Sequence, residues 1–502
     1  MKKLIRAAGL LLGIVLTIFV SSCNKDEFDG SKDTIVSQFV YDGMSTYYLW
    51  ADEMTSKEPT ANDTDPTKYF QSLLNSTDKK QGWSYITNDV QKLLAGFSGE
   101  PKSFGFSVVF AAVNATEYVA FVQYVFPNTP ASNAGLKRTD FIGKINGQPI
   151  TENNYRIFYG NETAKFTTYK KGSGNKFVDD KEITLTPAVI STDPVLYKEI
   201  FEINGKKIAY LFYTDFIQNY NNSLYDAFSE FKQAGVSDLI LDLRYNHGGA
   251  LSAAIYLSSL IVKKAEVEKK SPFAVMSYNS LINSVFDREK ISRIDSLGVY
   301  SPSKEQNPLN ANLNLNKVYI IATDDSYSAS ELVTFCLKSY VNVVHIGGNT
   351  GGKYTASWTI HPYDENLGIP IYDAAKLPSD YKTKLKNWAM QPIVGRYTNC
   401  NNEDFSVPGY LVPNHPLKEG GGYIDYWVPL GDTNDVFLGQ ALYLITGDAS
   451  YKPAQQVPGR VKMNGTTFIP LNNPDDVKKE AVILDNVNLP AEKLKKILPY
   501  LQ

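Results

Sequence analysis

The spacing of apolar residues changes character several times along the chain, and each change marks an element or a boundary. From residue 34 to about residue 96, apolar side chains recur at every third or fourth position (Val36, Phe39, Val40, Met44, Tyr47 and Tyr48). Residues 68–74 repeat the pattern, so this region reads as mainly helical. Tyr47, Tyr48 and Trp50 read as core rather than as a binding platform. From Ser103 the period falls to two: 104–110 and 118–122 read as strands, and 125–136 as a turn with a short helix. Residues 140–150 read as two strands joined at Asn146-Gly147, a pair suited to a hairpin turn.

Beyond residue 189 strands and helices alternate. Residues 207–213 form a strand, 224–234 a helix with Phe228 and Phe231 inward, 238–243 a strand, and 249–262 an apolar helix buried on most sides. Val318-Tyr319-Ile320-Ile321 is a buried strand, and positions 329, 332, 333, 336 and 340 share one face of the next helix. Residues 343–346 form a further strand. This alternation calls for an α/β layered core. Residues 355–425, rich in Pro, Tyr, Asn and Trp, read as a lid or substrate-lining insertion. Residues 423–430 read as a strand, and 432–446 hold a capped helix with Phe437, Leu438, Ala441 and Leu442 on one face. In the tail, 466–469 reads as a strand and 491–501 as a helix.

A chain of 502 residues, 43% hydrophobic and 13% aromatic, can fill several cores, and its length suggests about three or four domains. The formal charge of −3, with no basic stripe, argues against a nucleic-acid partner. Lys2, Lys3 and Arg6 precede an apolar run at 7–20 that is too short to span a membrane comfortably and has the shape of a signal peptide. Its loss takes the charge to −6, because residues 1–22 carry three bases and no acid. Val20-Ser21-Ser22-Cys23 resembles a bacterial lipobox, which implies that Cys23 is lipidated, becomes the mature N-terminus and ties the chain to a membrane. Lys25-Asp26-Glu27 resembles the surface-export tag of some Gram-negative outer-membrane lipoproteins, and either face of that membrane fits. Of the three cysteines, Cys336 reads as a core thiol and Cys400 as a loop residue, with a 336–400 disulfide left open. The four histidines have no metal-ligand spacing, so no metal and no cofactor is expected.

The chemistry concentrates between Lys317 and Ser357. Ser328 falls where a strand breaks into a helix N-terminus, and the following serine and Glu331 suit capping. Lys353 follows a glycine-rich turn, Gly347-Gly348-Asn349-Thr350-Gly351-Gly352, at the end of the adjacent strand. A serine needs a base to become a nucleophile, and a lysine serves as one when it is desolvated enough to lose its charge.

Ser328-Ala329-Ser330-Glu331, with Lys353 twenty-five positions after Ser328, resembles the C-terminal processing (tail-specific) serine peptidases. So does Asp242-Leu243-Arg244-Tyr245-Asn246-His247-Gly248-Gly249. The resemblance implies Ser328 as nucleophile and Lys353 as general base. The N–H of Ala329 and that of Gly248 or Gly249 then form the natural oxyanion pair, with Asp242 and Arg244 bracing the turn. Ser357 stands where the family has a glutamine beside the lysine, and Tyr327 where a small residue is usual. A serine can still hydrogen-bond a neutral lysine.

The implied fold is α/β, a crotonase-like peptidase core of repeated ββα units with a small helical N-terminal domain and a PDZ-like β domain. In the latter, Ser103-Phe104-Gly105-Phe106 occupies the place of a carboxylate-binding loop that receives a peptide tail. The expected division is a signal peptide (1–22), a tether (23–33), a helical domain (34–100), the PDZ-like domain (103–188), the peptidase core (189–448) and an extension (449–502). The expected activity is cleavage of protein tails or unfolded proteins at the cell envelope. The alternative is a catalytically silent relative that binds peptides or partner proteins through 103–188. A crotonase-type thioester enzyme has no use for Ser-Ala-Ser-Glu, and the absence of Gly-x-Ser-x-Gly excludes an α/β-hydrolase.

Overall fold

The computed structural model describes residues 34–54, 57–171, 177–364, 369–373, 380–419 and 427–453. The leader, Cys23, the tether and the expected elements at 466–469 and 491–501 lie outside the described residues. So do 423–426 of the strand expected at 423–430, while 427–430 is irregular.

The chain begins with α1 (Ile35–Tyr47), α2 (Pro66–Leu73), α3 (Ser76–Gln81) and α4 (Val90–Ser98). α1 buries Val36, Val40, Met44 and Tyr47 along one side. α2 starts at Asp65, whose carboxylate accepts from the N–H groups of Thr67 and Lys68, with Pro66 at the first helical position. These helices do not close a core of their own. Val40, Met44, Tyr47, Tyr48, Phe70 and Trp83 share one apolar core with the central sheet.

Strands β1 (Phe106–Ala112), β2 (Tyr118–Val125), β3 (Phe141–Ile145), β4 (Ala164–Lys171) and β5 (Phe177–Leu185) form an antiparallel sheet in that order, with Gln148–Pro149 beside β3. This β domain has its own core around Phe104, Phe110, Val122, Ile142 and Phe166.

The chain continues through β6 (Val195–Ile203), β7 (Lys206–Tyr213), α5 (Asn221–Ala234), β8 (Asp238–Asp242), α6 (Leu251–Ile261), β9 (Pro272–Tyr278) and β10 (Ile294–Ser296). It closes with β11 (Lys317–Ala322), α7 (Ala329–Cys336), β12 (Asn342–Gly347), β13 (Thr355–Ser357), β14 (Ile393–Asn399), β15 (His415–Pro416) and α8 (Val436–Thr446). The central sheet has the order β6-β7-β8-β11-β12-β15, parallel from β7 onward. Both of its faces are covered, as a parallel sheet requires. In β7, Ala209, Leu211 and Tyr213 face α5, α6, α7 and the N-terminal helices. Ile208, Tyr210 and Phe212 face α8 and the β-domain residues Phe121, Tyr124 and Phe126. The fold is mixed α/β with a small N-terminal helical domain.

Two expectations need correction. α7 ends at Cys336, so Tyr340 falls beyond the face it is expected to share, and all eight residues are buried, because α6 and β14 pack on the helix as well as the central sheet. Parts of 355–425, expected as a lid or substrate-lining insertion, are built into the fold. β13 and β14 belong to a second, antiparallel sheet of order β10-β9-β14-β13. Trp358 is buried between the rings of Tyr47 (5.8 Å) and Tyr278 (5.2 Å). Cys336 and Cys400 are both free thiols, the first buried. Among the described residues no helix is long and apolar enough to cross a membrane.

Candidate active site

Three loops leave the C-terminal edge of the central sheet: 243–250 after β8, 323–328 after β11 and 348–354 after β12. In open parallel sheets this is the edge where ligand-binding loops gather. Hydroxyl groups stitch the first two together. Ser326 Oγ donates to the Leu243 carbonyl (2.7 Å) and Thr323 Oγ1 to that of Arg244. The Asn246 carbonyl accepts from the Tyr327 N–H (3.1 Å) and from Ser330 Oγ (2.8 Å). The two sequence motifs, remote in the chain, therefore form one unit.

Ser328 caps α7 with φ +50° and ψ −108°, the mirror image of extended backbone and a region that glycine favours. A serine held there is strained, and such strain persists only where the surroundings impose it. The residue is fully buried, and its Oγ makes no hydrogen bond among the described residues, although it stands in capping-box position relative to Glu331.

Glu331 supplies much of the restraint. Its Oε2 accepts from the N–H of Ser328 (3.0 Å) and from that of Lys353 (2.7 Å). Its Oε1 accepts from the Gly352 N–H (2.8 Å) and from Thr350 Oγ1. Burial pushes this carboxyl up to about 7, against the pull of the four donors. In the sequence, its place three residues after Ser328 marks it only as a capping acid. Nothing local signals its bonds to 350–353.

Lys353 is buried on that third loop, with Nζ 5.8 Å from the centroid of the Tyr327 ring. The Tyr327 hydroxyl accepts from the Trp83 indole N–H (2.6 Å), and Trp83 also meets the Tyr354 ring edge-on at 5.4 Å. The N-terminal helices thus reach the site. Asp78, in α3, is buried beneath it and accepts from Tyr48 Oη (2.8 Å) and from the Ser84 N–H (2.9 Å) and Oγ (2.5 Å). Desolvation pushes the Asp78 carboxyl up, and the hydrogen bonds from Ser84 and Tyr48 pull it down. Ser357 is buried on β13, on the same side of the strand as Thr355.

The expected oxyanion donors do not stand equal. The Gly248 N–H is already spent on Asn246 Oδ1 at 2.8 Å, which corrects its place in the pair. Gly249, at φ +134°, lies so close to Phe216 that an added Cβ would come within 2.4 Å of that residue's carbonyl oxygen. Its N–H has no hydrogen-bond acceptor among the described residues, and the Ala329 N–H opens the first turn of α7. Between them in the motif, half-buried His247 is pushed down to about 4 by desolvation and is neutral at pH 7.

Comparison with known proteins decides the family. The model of peptidase family S41 matches residues 207–392, and that of the peptidase S41 N-terminal domain matches residues 36–85. The chain belongs to peptidase family S41. It is 23% identical over 407 residues to the carboxy-terminal processing protease CtpA of Bacillus subtilis (strain 168), covering 81% of this chain and 78% of that one. A probable CtpA-like serine protease of Staphylococcus aureus (strain N315) is 26% identical over 249 residues, 48% of this chain and 42% of the relative. The crystal structure of a putative S41 protease from Bacteroides fragilis NCTC 9343 is similar, with a TM-score of 0.64 and 26% identity over 82% of this chain and 97% of that one. The S41 chain is therefore a serine-type peptidase, and its substrates are proteins or peptides.

In this S41 peptidase the Asp242–Arg244 pair is the centre of a buried charge cluster. Arg244 bonds Asp242 through Nε (3.0 Å) and Nη2 (2.7 Å), Asp435 through Nη1 (2.7 Å) and Nη2 (2.9 Å), and Glu419 through Nη1 (3.2 Å). Asp435 also caps α8. The Arg244 guanidinium holds Asp435 below the usual carboxylate range, whereas desolvation leaves Asp242 above it. Arg138, from the β domain, bonds Glu419 (2.9 Å), the Tyr245 hydroxyl (2.9 Å) and the Val428 carbonyl (2.7 Å), and lies over the Trp427 ring at 4.3 Å. Tyr245 Oη in turn donates to Glu419. Arg138 and Glu419 have no local sequence signal, and Asp435 reads locally only as a helix cap; the ion pairs among them and Arg244 join residues far apart in the chain.

The proposed carboxylate cradle at 103–106 is turned inward. The Gly105 N–H donates to Ser103 Oγ (3.1 Å), and the Gly105 carbonyl accepts from the Phe126 N–H (2.8 Å). Phe104 is buried against Phe166 at 5.2 Å, and Phe106 meets Phe158 at 5.9 Å. Phe158 also meets Phe110 of β1 at 5.3 Å, so the chain's own aromatic rings pack along that strand.

Proposed function

We propose that this S41 peptidase hydrolyses peptide bonds of protein tails or unfolded chains at the cell envelope, with Ser328 as nucleophile and Lys353 as base. The observation that carries the reading is the shared Glu331 oxygen, which seats the amides of Ser328 and Lys353 against one atom inside a buried site. Ser328 Oγ attacks the scissile carbonyl while its proton passes to the uncharged Lys353 amine. The N–H groups of Ala329 and Gly249 receive the oxyanion. Collapse breaks the C–N bond, the leaving amine takes the proton from Lys353, and water then hydrolyses the acyl-serine with Lys353 again as base. Ser357, four residues after Lys353, is the group available to orient it.

The envelope location rests on the apolar run at 7–20 and Cys23, which would carry the lipid anchor. Incorporation of a labelled fatty acid, lost in Cys23→Ala, tests it. The binding-module alternative draws less support, because Gly105 spends its N–H on Ser103. The deciding experiment combines labelling by a fluorophosphonate with cleavage of an unfolded protein. Both are expected in the wild type and neither in folded Ser328→Ala or Lys353→Ala. Cleavage that survives either substitution overturns the dyad.

A further inference from the structure

A helix-capping acid ordinarily serves its own helix, reaching back to the amide of the N-cap residue. Glu331 makes that bond to Ser328, but its other three donors, Thr350, Gly352 and Lys353, come from the loop after β12. Two loops from different strands are thus pinned to one side chain. We propose that Glu331 is a positioning residue for peptide hydrolysis: one buried carboxylate, bonded through a single oxygen to the amides of Ser328 and Lys353, sets the turn of the nucleophile against the loop of its base. The inference rests on the Ser328–Lys353 reading above.

The geometry explains why this acid is buried at all. A carboxylate is acceptor-only and can receive two N–H groups at each oxygen, so it satisfies four donors without offering one of its own. An amide of the same shape cannot. Whichever way a glutamine is turned, its NH2 faces two of these donors: Ser328 and Lys353, which parts the two loops, or Thr350 and Gly352, which strips two of the three bonds that hold the loop after β12. Glu331 also fixes the amide of a residue whose φ of +50° and ψ of −108° a serine would otherwise leave. Thr350 extends the clamp outward, since its hydroxyl accepts from the Leu411 N–H at 2.8 Å.

Displacement of a reacting group by about an ångström costs about 100-fold in rate without altering how substrate binds elsewhere. Glu331→Gln is therefore expected to lower kcat and the rate of fluorophosphonate acylation about 100-fold, with KM within about 3-fold of wild type. A merely structural role would reduce the fraction of competent enzyme without slowing acylation in the remainder, so rates are normalised to titrated sites. Glu331→Gln acylating within about 3-fold of wild type, while Ser328→Ala stays dead, overturns the inference and leaves the dyad standing. Cleavage by Ser328→Ala overturns both. If Glu331→Gln does not fold, Thr350→Val decides. It keeps the carboxylate and removes one donor, and is expected to lower kcat about 10-fold at constant KM. A wild-type kcat there overturns the clamp.

Discussion

Two buried polar clusters sit at the same edge of the central sheet, joined by the segment from Asp242 to Gly249, and they are built on opposite plans. Around Arg244 cation meets anion, with Asp242, Asp435 and Glu419 sharing one guanidinium. Around Glu331 a lone carboxylate collects backbone and hydroxyl donors, and the Ser328 hydroxyl beside it makes no hydrogen bond among the described residues. The first cluster is saturated and the second is held short of saturation. Saturation fixes a shape. An unspent hydroxyl on a strained backbone is a group available to react, at a cost in stability. The contrast fits an architectural Arg244 cluster and, on the proposed function, a Glu331 cluster that serves chemistry.

The largest test is Ser328→Gly. Glycine accepts φ +50° and ψ −108° without strain and leaves no buried hydroxyl unpaired, so the folded state should gain about 1 kcal/mol in urea unfolding. Peptidase activity should fall by about 10⁴-fold or more. A variant that loses stability along with activity would break the comparison, because Ser328 would then be architectural. Arg244→Ala should do the reverse in stability. It leaves the buried Asp242 and Asp435 without their cation, while Glu419 keeps Arg138, and should cost about 3–5 kcal/mol, read from the same denaturation curves.

How much of this was legible in the sequence follows the range of the forces involved. Strands β7, β8, β11 and β12 could be read because period-two or continuous apolar runs are local. Ser328 and Lys353 could be singled out as candidates because two motifs mark them. That all of α7 is buried could not be read, because periodicity records which residues are apolar, not how many layers cover them. The 355–425 region reads as a lid or substrate-lining insertion because Pro, Asn and Tyr signal turns locally. Yet Trp358 is inserted between Tyr47 and Tyr278, which no local pattern encodes. Gly248 and Gly249 are indistinguishable as letters, and only the Asn246 side chain, folded back onto the first, separates them.

The pH dependence of folding sharpens the comparison at the Glu331 end. Burial raises its carboxyl from an ordinary 4.5 to about 7, so between those values the folded chain holds a proton that the unfolded chain has released. The resulting stabilisation is fully present below about pH 4.5 and is lost as pH rises through about 7. Its size is on the order of 3 kcal/mol. Unfolding free energies of wild type minus Glu331→Gln, measured across that window, should therefore fall by that order as pH rises. A flat difference would mean that the carboxyl titrates in its ordinary range and is not desolvated.

The smallest expected effect asks whether the N-terminal helices belong to the architectural plan or the chemical one. They share the main core, which makes them architectural, but the Trp83 indole N–H also ends on the hydroxyl of Tyr327, the residue before Ser328. Trp83→Phe keeps an aromatic ring and removes that one donor, at a cost of about 1 kcal/mol. If the bond only braces the fold, kcat per folded molecule is unchanged. If it helps to hold Tyr327, and with it the ring beneath Lys353, kcat should drop by about 3- to 10-fold at constant KM. The same drop should appear in Tyr327→Phe, which keeps the ring and loses the acceptor. The double variant should then be no worse than either single one, because both substitutions delete the same bond. Additive losses would show that the two residues act separately, and would return the N-terminal helices to packing alone.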